Sequence, residues 1–327
     1  MFDRSSIAKE QDKDFLTRAV SRAAQAMGPA IEEAMADPAI TEIMLNGDGR
    51  LYVEKLTAGM QECGTIDKVS AFTIVKTLAS LSGVSLNAQH PILSGEIPYN
   101  GSRIEIQIPP VVKAPCFTIR KHTALSLSLS ELITNGMLTV RQGQILISAL
   151  LARQSIVVSG GTGCGKTTLV NALLAELTRL CPQERIVNVE DTAELKVTSA
   201  NRLNLLTAPG LGMDVLLRSA LRSRPDRIVV GEVRGAEALD LIDAFSTGHR
   251  GGLTTVHAGS IAQALKRLVL LVSRNQAAPR LIEPTIAQAL DLIVQLDKRP
   301  QRHVVAIAKL EDYVAGEFVW QSLDEGA

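Results

Sequence analysis

Apolar positions recur with two different rhythms along this chain, and the change between them divides it. From Leu16 to Ala36 they follow a helical period that ends at Asp37-Pro38, where proline cannot continue a helix. Ile40–Leu45 and Leu51–Glu54 alternate like strands around Asn46-Gly47-Asp48-Gly49, which predicts a hairpin. A helix fits Val69–Leu81 and closes at Gly83, and the strands Arg103–Ile108 and Cys116–Arg120 flank Pro109-Pro110. Residues 1–122 therefore read as a small α+β domain.

Residues 123–140 read as a linker holding one short helix, with a capping box at Ser128–Glu131 and a stop at Gly136. From 141 to 327 helices and strands alternate: helix 142–153, strand 155–159, helix 166–179, strand 185–189, helix 214–223, strand 227–231, helix 236–246, strand 252–256. Helices at 261–273 and 282–290 and strands at 292–296, 303–309 and 318–321 follow. Such alternation predicts an α/β domain with a mainly parallel sheet and ligands at the carboxyl ends of its strands. At 327 residues, with about 150 per domain, two cores are expected.

Composition narrows the function classes. Net charge is zero and aromatics are 3% of the chain, which argues against broad phosphate-backbone binding and base-stacking platforms. Cys63, Cys116, Cys164 and Cys181 form no C-x-x-C pair, so neither a zinc ribbon nor a disulfide framework is expected. The charged N-terminus lacks a signal-peptide core, and no apolar run approaches 18 residues, so a cytoplasmic protein with at most peripheral membrane contact is expected.

The chemistry is concentrated in the second region. Gly160-Gly161-Thr162-Gly163-Cys164-Gly165-Lys166-Thr167, followed by Thr168, matches G-x-x-x-x-G-K-[ST] and stands between an apolar strand and a helix. Backbone N–H groups of such a loop close around a polyphosphate. Lys166 is expected to reach the outer phosphates of ATP, and the Thr167 hydroxyl to ligate Mg²⁺.

Acidic clusters end two later strands: Glu190-Asp191-Thr192-Ala193-Glu194, and Glu232 after Arg227–Gly231. Hydrolysis needs one carboxylate in the metal shell and one to orient water, which makes Glu190 and Glu232 candidates. Arg234, and less so Arg218, Arg222 and Arg224, are candidates for stabilising charge on the transferred phosphoryl group. His249 and His257 bracket an apolar strand, with His257 at its carboxyl end as a candidate γ-phosphate sensor.

These four boxes, in this order, resemble the secretion ATPases of the type II/type IV superfamily, and within it the conjugal-transfer branch. Asp37–Asn46, Gly101-Ser102-Arg103, Pro109-Pro110 and Phe117–Lys121 are similar to that branch as well. The resemblance implies a RecA-like P-loop core behind an α+β domain, and a homohexameric ring held peripherally at the cytoplasmic face of the inner membrane. It implies ATP and Mg²⁺ as ligands, with Glu190 activating water, Glu232 in the metal shell, and Arg103 and Arg120 reaching the nucleotide from the N-terminal domain. Inner-membrane components of the apparatus are its implied partners, without direct sequence-specific nucleic-acid binding. A pilus-retraction ATPase and a nucleotide-gated scaffold ring with little turnover are the alternatives. Cys164 stands where a serine is usual, and the absent tetracysteine module points away from type II secretion.

Overall fold

The computed structural model describes residues 25–55, 58–121, 127–208 and 210–324. The chain separates into two compact units, Met1–Leu125 and Ser126–Ala327.

The first unit opens with helix α1 (25–36), whose expected beginning at Leu16 lies outside the described residues. Strands β1 (Ile40–Leu45), β2 (Arg50–Lys55) and β3 (Gly59–Thr65) follow, then helix α2 (Lys68–Leu81) and strands β4 (Ile92–Glu96), β5 (Arg103–Gln107) and β6 (Cys116–Arg120). The strands form one antiparallel sheet in the order β3-β2-β1-β6-β5-β4. Period-two alternation sends Ile43, Leu45, Leu51, Val53, Ile104, Ile106, Phe117 and Ile119 into a core shared with Ile31 of α1 and Ile74 and Leu78 of α2. Asp67 caps α2 by accepting from the Val69 and Ser70 backbone N–H groups.

The second unit contains helices α3 (Leu129–Thr134) and α4 (Val140–Leu151), strand β7 (Ile156–Gly160), helix α5 (Lys166–Leu180), and strands β8 (Ile186–Glu190) and β9 (Arg202–Leu206). Helix α6 (Met213–Leu221), strand β10 (Arg227–Val230), helix α7 (Ala238–Ser246) and strand β11 (Leu253–Val256) continue it. Helices α8 (Ile261–Val272) and α9 (Ile282–Ala289) lead into β12 (Leu292–Asp297), β13 (His303–Val314) and β14 (Glu317–Ser322).

Its sheet runs β14-β13-β12-β7-β11-β10-β8-β9. Every pairing from β12 to β9 is parallel, and the β12–β13 and β13–β14 pairings are antiparallel. All residues of β7, β8, β10 and β11 are buried, as expected of strands with helices on both faces. One face packs on α6–α9 and the other on α3–α5. Residues 129–138, read from sequence as part of a connection, contribute Leu129, Leu132, Met137 and Leu138 to that second core. The expected capping box at Ser128 and Glu131 is formed, and a second joins Thr139 and Gln142.

Candidate functional site

The glycine loop lies at the carboxyl end of β7. Gly160 is required by packing, because a Cβ there would meet the Cys164 sulfur and stand 3.0 Å from the Leu296 carbonyl oxygen. Gly163 (φ 73°) and Gly165 (φ 98°) occupy the left-handed region, which turns the chain into α5 without a side-chain cap. The first-turn N–H groups of α5 are therefore left for an anion. Cys164 is buried beneath the loop, and its burial raises its thiol pKa. Gly161 and Thr162 lie exposed on the crest, and Thr168 follows in the first turn of α5.

Lys166 is buried and donates to the carbonyl oxygens of Gly160 (2.9 Å) and Gly161 (3.0 Å). His257, just beyond β11, sets Nδ1 3.3 Å from the Lys166 ammonium and Nε2 3.1 Å from a Glu232 oxygen. An ammonium can only donate, so Nδ1 accepts and Nε2 carries the proton facing Glu232. The second Glu232 oxygen accepts from Arg234 at 2.7 Å. Lys166, His257, Glu232 and Arg234 thus form one continuous chain.

A second chain starts at Thr167, whose hydroxyl donates to Glu194 Oε2 at 3.2 Å. Glu190 is 2% exposed. Its Oε1 accepts from the backbone N–H groups of Glu194 (2.9 Å) and Leu195 (2.8 Å), and its Oε2 accepts from Asn188 at 2.7 Å. Burial raises the Glu190 pKa against the opposing pull of these bonds. A Cβ on Gly231 would come within 3.0 Å of Glu190 Cγ, so the glycine before Glu232 makes room for this carboxylate.

The structure thus brings together Gly160–Thr167, Glu190, Glu232, Arg234 and His257. Arg218 pairs instead with Asp214 and Asp240. Arg222 and Arg224 lie before β10, and His249 before β11, at the strand-start edge opposite the loop. Arg103 and Arg120 belong to the first unit, where they are register partners on β5 and β6. Arg120 lies 3.8 Å from Glu42.

Three contributors went unread in the sequence. Glu194 stands in an acidic cluster whose spacing does not say which carboxylate turns toward Thr167. Asn188, buried within β8, fixes Glu190 by donating to its Oε2, a role that a lone polar residue in an apolar strand does not announce. Arg302 donates through Nε to the Gly163 carbonyl oxygen at 2.8 Å, a contact across 139 positions with no local signature.

A glycine loop between a parallel strand and a helix, with carboxylates at the carboxyl ends of β8 and β10 of the same sheet, defines a P-loop nucleotide-binding protein. Residues 25–315 match the model of the "Type II/IV secretion system protein" family, and the chain belongs to that family. It is 39% identical over 297 residues to the conjugal transfer protein TrbB of Rhizobium radiobacter, covering 90% of this chain and 91% of that one. It is 31% identical to the type IV secretion system protein PtlH of Bordetella pertussis, covering 80% of this chain and 86% of that one. Among solved structures it shares its fold with the Legionella pneumophila ATPase DotB, with TM-score 0.60 and 18% identity over 90% of this chain and 78% of that one.

Proposed function

We propose that this protein is an ATP-hydrolysing hexameric motor that energises conjugal transfer or another type IV secretion process. The observation that carries the reading is the hydrogen-bonded chain from Lys166 of the glycine loop through His257 to Glu232 and Arg234. It joins a phosphate-binding cation, a candidate sensor and a candidate catalytic carboxylate in one contiguous unit. A loop that bound nucleotide only as a structural ligand would not need the last two.

In this reading the second unit, residues 141–327 with the helix before it, is a RecA-like ATPase domain, and residues 1–122 form the N-terminal domain. The parallel run β12-β7-β11-β10-β8 supports that assignment. Loop N–H groups and Lys166 bind the triphosphate, and Lys166 exchanges its loop carbonyls for phosphate oxygens. Glu232, oriented by His257 Nε2–H and Arg234, serves the metal shell, and it and Glu190 are the two candidates for orienting the attacking water. Arg234 is then released toward charge developing on the γ-phosphoryl group. Glu190, with three hydrogen bonds into its carboxylate, positions the turn that carries Glu194.

The donor set suits Mg²⁺. Thr167, Glu194 and Glu232 offer hard oxygen atoms, and among the described residues no group of three or more His, Cys, Asp or Glu could hold an ion without help. Magnesium is commonly held in this way, by few protein oxygens together with substrate phosphates. When bound it would neutralise charge between the β- and γ-phosphates.

In the first unit, Arg103 and Arg120 are the candidates for contact with nucleotide. Each has a carboxylate as its other register partner, Glu96 beside Arg103 and Glu42 beside Arg120. The ring would act at the cytoplasmic face of the inner membrane on components of the secretion apparatus. Among the described residues no helix is long and apolar enough to cross a membrane.

Steady-state phosphate release tests the site. Lys166→Ala should lose about 10²-fold or more in turnover. Glu232→Gln should retain ATP binding, read with a fluorescent nucleotide, while turning over at a small fraction of the wild-type rate. Wild-type turnover in Lys166→Ala would refute the assignment.

A further inference from the structure

Strands β7, β8, β9, β10 and β11 are mutually parallel, so the turns that feed them gather along one edge of the sheet, opposite the glycine loop. Those turns are rich in arginine: Arg153 before β7, Arg185 before β8, Arg202 opening β9, Arg222 and Arg224 before β10, and Arg250 before β11. The carboxylates beside these arginines are Glu184 and Asp226, with Asp291 before the parallel neighbour β12 accepting from the Ser155 backbone N–H, and the turns hold no Phe, Tyr or Trp, although His249 lies among them. Topology, rather than sequence proximity, assembles this cationic row.

Hydrogen bonds fix it in place. The buried Arg227 donates to the carbonyl oxygens of Leu150 and Gly251 and to Glu184, tying three turns together. Arg185 donates to the Ser223 carbonyl oxygen (2.9 Å) and the Asn201 side chain (2.7 Å), and Arg153 donates to the Asp226 carbonyl oxygen (3.1 Å). Arg202 is held by the Ser199 carbonyl oxygen. Backbone carbonyls orient these guanidinium groups without neutralising them. Glu184 is engaged by Arg227 and Arg153, while Arg185, Arg202, Arg222, Arg224 and Arg250 form no ion pair among the described residues. Arg202, Arg222, Arg224 and Arg250 are exposed.

We infer that this edge is a docking surface for an acidic segment of a partner protein. In the sheet order these five strands are neighbours, so at about 4.8 Å per strand the row extends about 19 Å, the length of about six residues of extended peptide. Guanidinium forks match carboxylates in bidentate geometry. The turns offer no Phe, Tyr or Trp ring for stacking bases. The inference goes beyond the nucleotide reading and does not depend on it.

The test is fluorescence anisotropy of a labelled oligo-glutamate peptide, about eight residues long, with the full chain and no nucleotide present. The wild-type protein should bind it, with affinity falling steeply as salt rises. The triple variant Arg222→Gln, Arg224→Asn, Arg250→Gln removes three side chains that form no ion pair or side-chain hydrogen bond among the described residues, and asparagine tolerates the left-handed backbone of Arg224 (φ 51°). It should bind about tenfold or more weakly while hydrolysing ATP at the wild-type rate. The double reversal Arg222→Glu, Arg250→Glu should lose oligo-glutamate binding and gain oligo-lysine binding. Oligo-thymidylate of matched charge, and vesicles containing phosphatidylglycerol, should compete less well than unlabelled oligo-glutamate. Undiminished peptide binding by the triple variant, or stronger competition by either phosphate probe, would overturn the inference. So would impaired hydrolysis in the triple variant, because it would tie these arginines to the nucleotide site.

Discussion

Glu190 shows how burial and hydrogen bonding divide the work among neighbouring carboxylates. Sequence spacing makes Glu190 and Glu194 equivalent members of one acidic box. In the fold Glu190 is enclosed by Asn188 and two backbone N–H groups, while Glu194 meets the Thr167 hydroxyl. Desolvation raises the Glu190 pKa above the ordinary 4.5. A carboxyl with a raised folded-state pKa contributes stability at low pH and loses it as pH climbs from the ordinary value through the raised one. Glu190→Gln cannot titrate, so thermal melts across that interval should show wild-type stability declining relative to the variant as pH increases. A pH-independent difference would mean that the folded carboxyl titrates normally.

At the scale of elements, the second unit depends on close approach between strands and helices. Gly252 immediately precedes β11, where a Cβ would run into the Phe245 ring and stand 2.6 Å from the Ile228 carbonyl oxygen. Backbone and a fully buried ring leave no room, so Gly252→Ala should cost about 2–3 kcal/mol. Denaturant unfolding checks this, and an unchanged midpoint would show that α7 can shift away.

Legibility follows the same physics. Strands β7, β8, β10, β11 and β12 are short, buried, β-branched-rich runs preceded by helices and turns, and each was readable within a residue or two. β3, β4 and β9 were not. β3 is exposed along nearly its whole length, and Gly-Met-Gln-Glu-Cys-Gly-Thr carries no alternation. β4 and β9 are also edge strands, with too few buried side chains to imprint a pattern. β13 extends to Val314, beyond the expected Lys309, because its antiparallel hairpin with β14 supplies pairing where the sequence becomes polar. In the site, the glycine loop and the carboxylates ending β8 and β10 follow from local motifs. The Arg302 contact and the arginine row arise only from strand order.

The whole molecule, a member of a family of secretion-system proteins, carries a P-loop ATPase unit and a smaller antiparallel unit in one chain. Arg234 is held by Glu232 and lies 3.8 Å from Asp191, the pairing from which the proposed mechanism releases it. Arg103 and Arg120 of β5 and β6, proposed to contact nucleotide, belong to the other unit. Substituting Arg103 and Arg120 with glutamine should therefore slow turnover by about 10²-fold or more while leaving the second unit folded. Phosphate release with circular dichroism as a folding control measures that effect. Unchanged turnover would remove both residues from the site.

The central claim is most directly tested by recording ATP hydrolysis per chain over a range of protein concentrations, with molar mass followed by light scattering in the same samples. The account predicts that specific activity rises as hexamers form and saturates when they predominate. Equal specific activity in monomers and hexamers, or hexamers that bind ATP and release no phosphate, would contradict it.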